Sequence, residues 1–154
     1  MKIILHIFIL FILYSCSNIS DITKKPPLVN LVIPQDKYSL ILKHNYYKNF
    51  KTYNKDLFRY YVEIKLSFIK SNALSSNGNK NLNIMKGTVD FKIFNKSKTK
   101  IIKSGSISSS INTGSVSSLY SIDENNNFAK ERISKYLASK LYRKILLNTY
   151  TSEN

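Results

Sequence analysis

The sequence predicts an α+β domain: a two-layer sandwich with two helices packed on one face of a mostly antiparallel sheet, in the order β-α-β-β-β-α. Three observations predict it. Apolar and polar residues alternate strictly from Phe58 to Phe68, as in a strand with one buried face. Two further alternating runs follow, around Val89 to Ile93 and Ile101 to Ile111, separated by a short polar turn, which reads as a meander. Near the end of the chain, Ala129, Ile133, Leu137, Leu141 and Ile145 repeat at helical spacing, the mark of a long amphipathic helix.

The first element is Leu28-Val29-Asn30-Leu31-Val32-Ile33, a β-rich run stopped by Pro34. Asp36 is placed to cap a helix over residues 36 to 50, in which Leu40, Ile41, His44, Tyr47 and Phe50 share a face. His44 is therefore expected to be a packed, hydrogen-bonded residue. The strand from Phe58 to Phe68 turns Phe58, Tyr60, Val62, Ile64, Leu66 and Phe68 inward and Arg59, Tyr61, Glu63, Lys65 and Ser67 outward. Ser71 to Asn81, rich in Asn and Ser and containing Gly78, reads as a turn or loop. The next strand opens with Leu82 and Ile84 and resumes with Val89, Phe91 and Ile93, so its apolar parity changes between Met85 and Gly87. Such a change predicts either a bulge at Gly87 or a break between two short strands. Asn95-Lys96-Ser97-Lys98 is a polar turn, and Ile101, Gly105, Ile107 and Ile111 then alternate with a face that is mostly Ser. After a Ser-rich passage from Thr113 to Ser121, Asn126 or Asn127 is expected to cap the final helix. Tyr136 is expected to join its apolar stripe, with Lys130, Arg132, Lys135, Lys140 and Arg143 on the surface. Glu131 in the first turn and Arg143 and Lys144 in the last both suit the helix dipole.

The domain begins only after an N-terminal address. Residues 1–15, MKIILHIFILFILYS, carry one early positive charge at Lys2 and an apolar run from Ile3 to Leu13. That run is too short for a bilayer core, which needs about 20 residues, and reads as the core of a signal peptide. It ends Leu13-Tyr14-Ser15-Cys16, which resembles the bacterial lipobox, with Tyr14 departing from the usual small residue. The expected outcome is diacylglyceryl transfer to Cys16 and cleavage before it, leaving a mature chain of net charge +14 once Lys2 is removed from the total of +15. Buried acyl chains contribute about 0.8 kcal/mol per methylene, so several chains on Cys16 anchor the protein durably. Ser17 is not the Asp that retains lipoproteins at the inner membrane in enteric-type bacteria, which favours the outer membrane. Residues 16–27, with Lys24, Lys25 and the Pro26-Pro27 pair, read as the acylated Cys and a tether; 28–150 form the single domain and 151–154 a tail.

Composition excludes several classes of function. The chain has 154 residues, one Cys and two His, so an internal disulfide framework and a Cys-rich zinc site are excluded and no metal or cofactor is expected. Nine acids stand against 24 basic residues, giving a net charge of +15 and pointing to an anionic partner or membrane surface. Only Arg59, Arg132 and Arg143 are arginines, so genome-driven use of Lys is an equal explanation of the charge. No catalytic site is expected. Glu63 and Asp90 lie on the polar faces of adjacent strands and are the one pair of carboxylates that could meet, but no His, nucleophile or Gly-rich phosphate loop accompanies them. The tyrosines, Tyr60 among them, suit core and interface packing better than base stacking, and no nucleic acid is expected.

The mature chain resembles the LPS-assembly lipoprotein family LptE in its alphaproteobacterial form. The resemblance rests on the order of Cys16, the short strand ending at Pro34, a helix, a meander and a long C-terminal helix. It is densest from Gly87-Thr88-Val89-Asp90-Phe91-Lys92-Ile93 through Ser104-Gly105-Ser106 to Leu119-Tyr120-Ser121. Asn125 to Arg132 and Leu137-Ala138-Ser139-Lys140-Leu141 then continue it. It implies an outer-membrane lipoprotein on the periplasmic side that plugs and stabilises an LptD-type β-barrel translocon and binds lipopolysaccharide. The alternative is another envelope-anchored cationic module for nucleic acid or an anionic glycan. Lys86, Lys92 and Lys103, around the central strands, are the candidate lipopolysaccharide contacts, meeting phosphate as point charges.

Overall fold

The computed structural model describes residues 29–49, 58–74, 81–113 and 118–150. The expected signal segment and tether, Cys16, Phe50 and residues 151–154 lie outside them. The elements are β1 (Val29–Val32), α1 (Lys37–Tyr47), β2 (Tyr60–Leu74), β3 (Asn81–Phe94), β4 (Ile101–Asn112) and α2 (Leu119–Tyr150). The predicted order and class are those observed. One sheet runs β1-β2-β3-β4, with β1 parallel to β2 and the remaining pairs antiparallel.

Joining β1 to a parallel neighbour needs a crossover, which α1 supplies. Asp36 caps α1 as predicted, its Oδ1 accepting from the Tyr38 and Ser39 amides at 3.1 and 3.0 Å. Partial burial pushes that carboxyl up, but the hydrogen bonds from Ser39 and Tyr38 outweigh it and hold the pKa below the usual value. The buried face of α1 is Ser39, Leu42 and Tyr46. Leu40 is 44% exposed and His44 lies on the exposed side, which corrects the expected face. Two contacts set this rotation. The Tyr46 ring meets Tyr47 and Tyr142 edge-on at 5.5 and 5.9 Å. The Tyr47 hydroxyl accepts from the Leu31 amide at 2.9 Å and donates to the Val29 carbonyl at 3.4 Å, meeting backbone groups of β1. The expected face included Tyr47 but not Tyr46, whose burial depends on the Tyr142 ring of the other helix. Burial raises the Tyr46 phenol pKa well above its ordinary value.

β2 and β3 pair without interruption from Tyr61 opposite Phe94 to Leu74 opposite Asn81. This corrects the expected loop over Ser71 to Asn81 at both ends, since residues 71–74 belong to β2 and Asn81 to β3. Ladder hydrogen bonds are made by the backbone, so Asn and Ser can extend a ribbon whose sequence looks like a turn. Nor is there a bulge or break at Gly87. Met85, Gly87, Val89, Phe91 and Ile93 form one continuous buried face, and Ile84 belongs to the other. Gly87 is small because α2 crosses it: a Cβ there would overlap Ile133 Cγ2 and stand 3.2 Å from Leu137 Cδ1 and Phe68 Cε1. Gly87→Val is expected to destabilise the domain by about 1–3 kcal/mol through overpacking, read as a lowered denaturation midpoint with unchanged slope. The irregularity lies at the end of β3, where Ile93 faces Lys103 but Phe94 faces Ile101. It breaks the alternation expected of Ile101, which is 51% exposed.

The turn after β3 is tied by Asn95, whose Oδ1 accepts from the Thr99 and Lys100 amides at 2.9 and 3.2 Å. α2 begins two turns before the expected cap. Ser118 Oγ accepts from the Ser121 amide at 3.1 Å, while the Asn side chains serve tertiary contacts. Asn127 Oδ1 accepts from the Tyr38 hydroxyl at 2.7 Å, and Asn125 donates to the Thr113 carbonyl. Ala129, Ile133, Leu137, Leu141 and Ile145 are buried as predicted, joined by Ala138. They pack on Val62, Val89, Phe91 and their neighbours to form a single core between helices and sheet.

Candidate functional site

Directly opposed residues of antiparallel strands share a face. Val62 with Ile93, Ile64 with Phe91 and Leu66 with Val89 face the helices. The intervening pairs, Glu63 with Lys92, Lys65 with Asp90, Ser67 with Thr88 and Ile69 with Lys86, therefore form the open face. β4 continues it with Ser104, Ser106, Ser108 and Ser110 opposite Lys92, Asp90, Thr88 and Lys86. A shallow depression of about 580 Å³ lies over Glu63, Lys65, Asp90, Lys92, Ser104 and Ser106.

This register sets the two carboxylates that could have met diagonally, each opposite a cation. Glu63 is directly opposed by Lys92 and Asp90 by Lys65, so each acid has a cation as its nearest cross-strand neighbour. The three candidate lysines are all exposed, but they do not form one patch. Lys92 stands between Glu63 and Ser104. Lys86 stands between Ile69 and Ser110, with no acid directly across. Lys103 faces Ile93 and so has the helix-side register, at the edge strand.

A second groove was not anticipated. α2 carries Phe128, Arg132, Tyr136 and Lys140 four residues apart, each one position before a core residue. Tyr136 is 59% exposed and does not belong to the apolar stripe; it leans beside Lys140, whose Nζ is 5.0 Å from its ring centre. Arg132 lies 5.6 Å from the Phe128 ring. This stripe borders β4, and Lys140 Nζ donates to the Ser108 carbonyl at 3.1 Å. The result is a groove of about 530 Å³ lined by Lys86, Ser108, Ser109, Ser110, Ile111, Arg132, Tyr136 and Lys140. Three cations and no acid line it, which makes it the more strongly anion-attracting of the two depressions. Lys86 reaches it from β3, and the other two cations from a helix 46 and 54 positions further along the chain. The four-residue spacing was legible in the sequence; its neighbour was not.

Among the described residues, no group of three or more His, Cys, Asp or Glu side chains could hold a metal ion. No helix among them is long and apolar enough to cross a membrane. Glu131 pairs with Lys135 at 2.8 Å, which holds its carboxyl below the usual range.

No family model matches the chain, and no curated protein matches it in sequence. Solved structures do share its fold. A minor lipoprotein from Acinetobacter baumannii aligns with a TM-score of 0.60 at 16% identity, covering 79% of this chain and 93% of that one. A protein from Caulobacter crescentus CB15 assigned as a lipoprotein gives 0.58 at 12% identity, over 81% and 90%. The rare lipoprotein B from Shewanella oneidensis gives 0.56 at 13% identity, over 82% and 98%. At these identities the likeness is one of fold, and it spans nearly the whole of each relative.

Proposed function

We propose that this protein is an envelope lipoprotein, anchored through Cys16 on the periplasmic side of the outer membrane. There it acts in the manner of LptE, plugging and stabilising an LptD-type β-barrel translocon and binding lipopolysaccharide. One coincidence carries this proposal: a lipobox-like Leu13-Tyr14-Ser15-Cys16 stands ahead of a domain whose fold recurs in solved bacterial lipoproteins. The family resemblance of the sequence adds the lipopolysaccharide and the barrel. The physical chemistry is compatible with it. A two-layer domain held at the membrane by acyl chains presents Lys86 and Lys92 from its open face and Lys103 from its edge strand, and such charges attract the phosphates of lipid A. The role is binding and assembly, not catalysis.

The test is lipopolysaccharide binding by the full-length chain in mild detergent. Lys86→Glu, Lys92→Glu and Lys103→Glu together are expected to weaken binding about tenfold or more while the circular dichroism spectrum is unchanged. The Lys92→Glu change sets a second carboxylate opposite Glu63, which costs less than about 1 kcal/mol, too little to unfold the domain. Since Lys86 and Lys92 share a face that Lys103 does not, comparing the double variant with Lys103→Glu alone locates the contact. Binding that survives all three changes moves the site elsewhere. Equal affinity for unrelated polyanions, falling steeply with salt, would instead mark a general cationic module.

A further inference from the structure

We infer that the outer edge of β4 is a docking site for an extended acidic segment of a partner polypeptide, which adds to the sheet as a fifth strand. This does not rest on the function proposed above. Among the described residues β4 ends the sheet, and its register shows which backbone groups are available. The Thr113 amide donates to the Asn83 carbonyl at 2.8 Å, and in an antiparallel ladder alternate residues point the same way. Gly105, Ile107, Ser109 and Ile111 therefore direct their amides and carbonyls toward β3. Ser104, Ser106, Ser108 and Ser110 direct theirs away from the sheet. Among the described residues, Lys140 meets one of these outward groups, the Ser108 carbonyl, at 3.1 Å. The edge of β1, by contrast, is already occupied by the Tyr47 hydroxyl. An exposed strand edge of this length is a template for strand addition.

The charge flanking the edge selects its occupant. Side chains of an added strand would alternate between the helix side, beside Arg132 and Lys140, and the open face, toward Lys86. The groove on the helix side is lined by cations and no acid, whereas the open face sets Asp90 beside Lys86 and Lys92, so carboxylates at alternate positions of the incoming strand, those on the helix side, are complementary to the edge. The ammonium group of Lys140 would exchange the Ser108 carbonyl for one of those carboxylates. A second copy of this chain is a poor occupant, because pairing edge to edge would set Arg132, Lys140 and Lys86 against the same three cations.

The experiment is amide hydrogen exchange on the full-length chain in mild detergent, with and without a peptide of four Thr-Glu repeats. Saturating peptide is expected to slow exchange at Ser104, Ser106, Ser108 and Ser110 by about tenfold or more, with little change at Gly105, Ile107 and Ser109, whose amides β3 already holds. Ser106→Pro removes one outward donor and no ladder bond, a placement that edge strands tolerate, and is expected to abolish the slowing at Ser108. Arg132→Glu with Lys140→Glu is expected to weaken the peptide about tenfold while leaving every outward amide of the edge in place, and keeps the proposal testable should the proline variant fail to fold. Three results would overturn it: binding without slowing at those serines, equal slowing by Thr-Lys repeats, or concentration-dependent protection of the edge without any peptide.

Discussion

Leu137→Asp unfolds the domain, whereas Lys135→Asp leaves it folded. Leu137 is fully buried, and its Cδ1 lies beside the Gly87 backbone where α2 crosses β3. A carboxylate there loses its hydration with no cation to meet it, at a cost of several kcal/mol against a total stability of about 5–15 kcal/mol. Protonation would remove the charge but leave a polar group and a cavity in the same place. Lys135, two positions away, is exposed on the opposite side of the helix, where it pairs with Glu131. Reversing its charge loses that exposed i,i+4 pair and adds a like-charge contact, each worth about 0.3–0.5 kcal/mol. Thermal unfolding followed by circular dichroism distinguishes the two: no cooperative transition for the first variant, and a midpoint within a few degrees of wild type for the second. Equal melting temperatures would show that the helix register is wrong.

Cys16→Ser is expected to release the protein from the membrane. Anchoring by two or more acyl chains is stable, and no helix among the described residues is long and apolar enough to replace it. Fractionation should move the variant from the membrane pellet to the soluble fraction, and labelled palmitate should no longer enter it. Palmitate incorporation that persists in the variant would refute the lipobox.

The architecture was legible because the β2 alternation and the α2 stripe each answer to one flat or helical partner, so periodicity alone reveals them. Where a residue answers to a particular neighbour, periodicity misleads. Gly87 resembled a bulge in the sequence because it breaks an apolar pattern, yet in the fold it keeps the register and is small to admit Ile133 and Leu137. His44 and Leu40 occupied the apparent apolar face of α1, but Tyr46 and Tyr47 orient that helix through ring contacts and the edge of β1. Ser71 and the Asn residues after it resembled a turn, and β2 and β3 pair there through backbone groups that all sequences share.

The candidate surface was less legible than the fold, for the same reason. Strand parity placed Lys92 on the open face and left Lys86 at the parity change, but only the register shows Lys86 beside it, Lys92 opposite Glu63 and Lys103 on the other side of the sheet. The groove joining Lys86 to Arg132 and Lys140 depends on where α2 crosses β4. That crossing is a tertiary fact, set by Gly87 and the core residues beneath the helix.

The most direct measurement of the proposed function is purification of the full-length acylated protein from membranes in mild detergent, followed by identification of what accompanies it. A large outer-membrane β-barrel is predicted to co-purify in fixed stoichiometry, and its amount in the membrane should fall when this chain is depleted. A chain that elutes alone, with the same barrel content in membranes that contain it and membranes that lack it, would contradict the assignment.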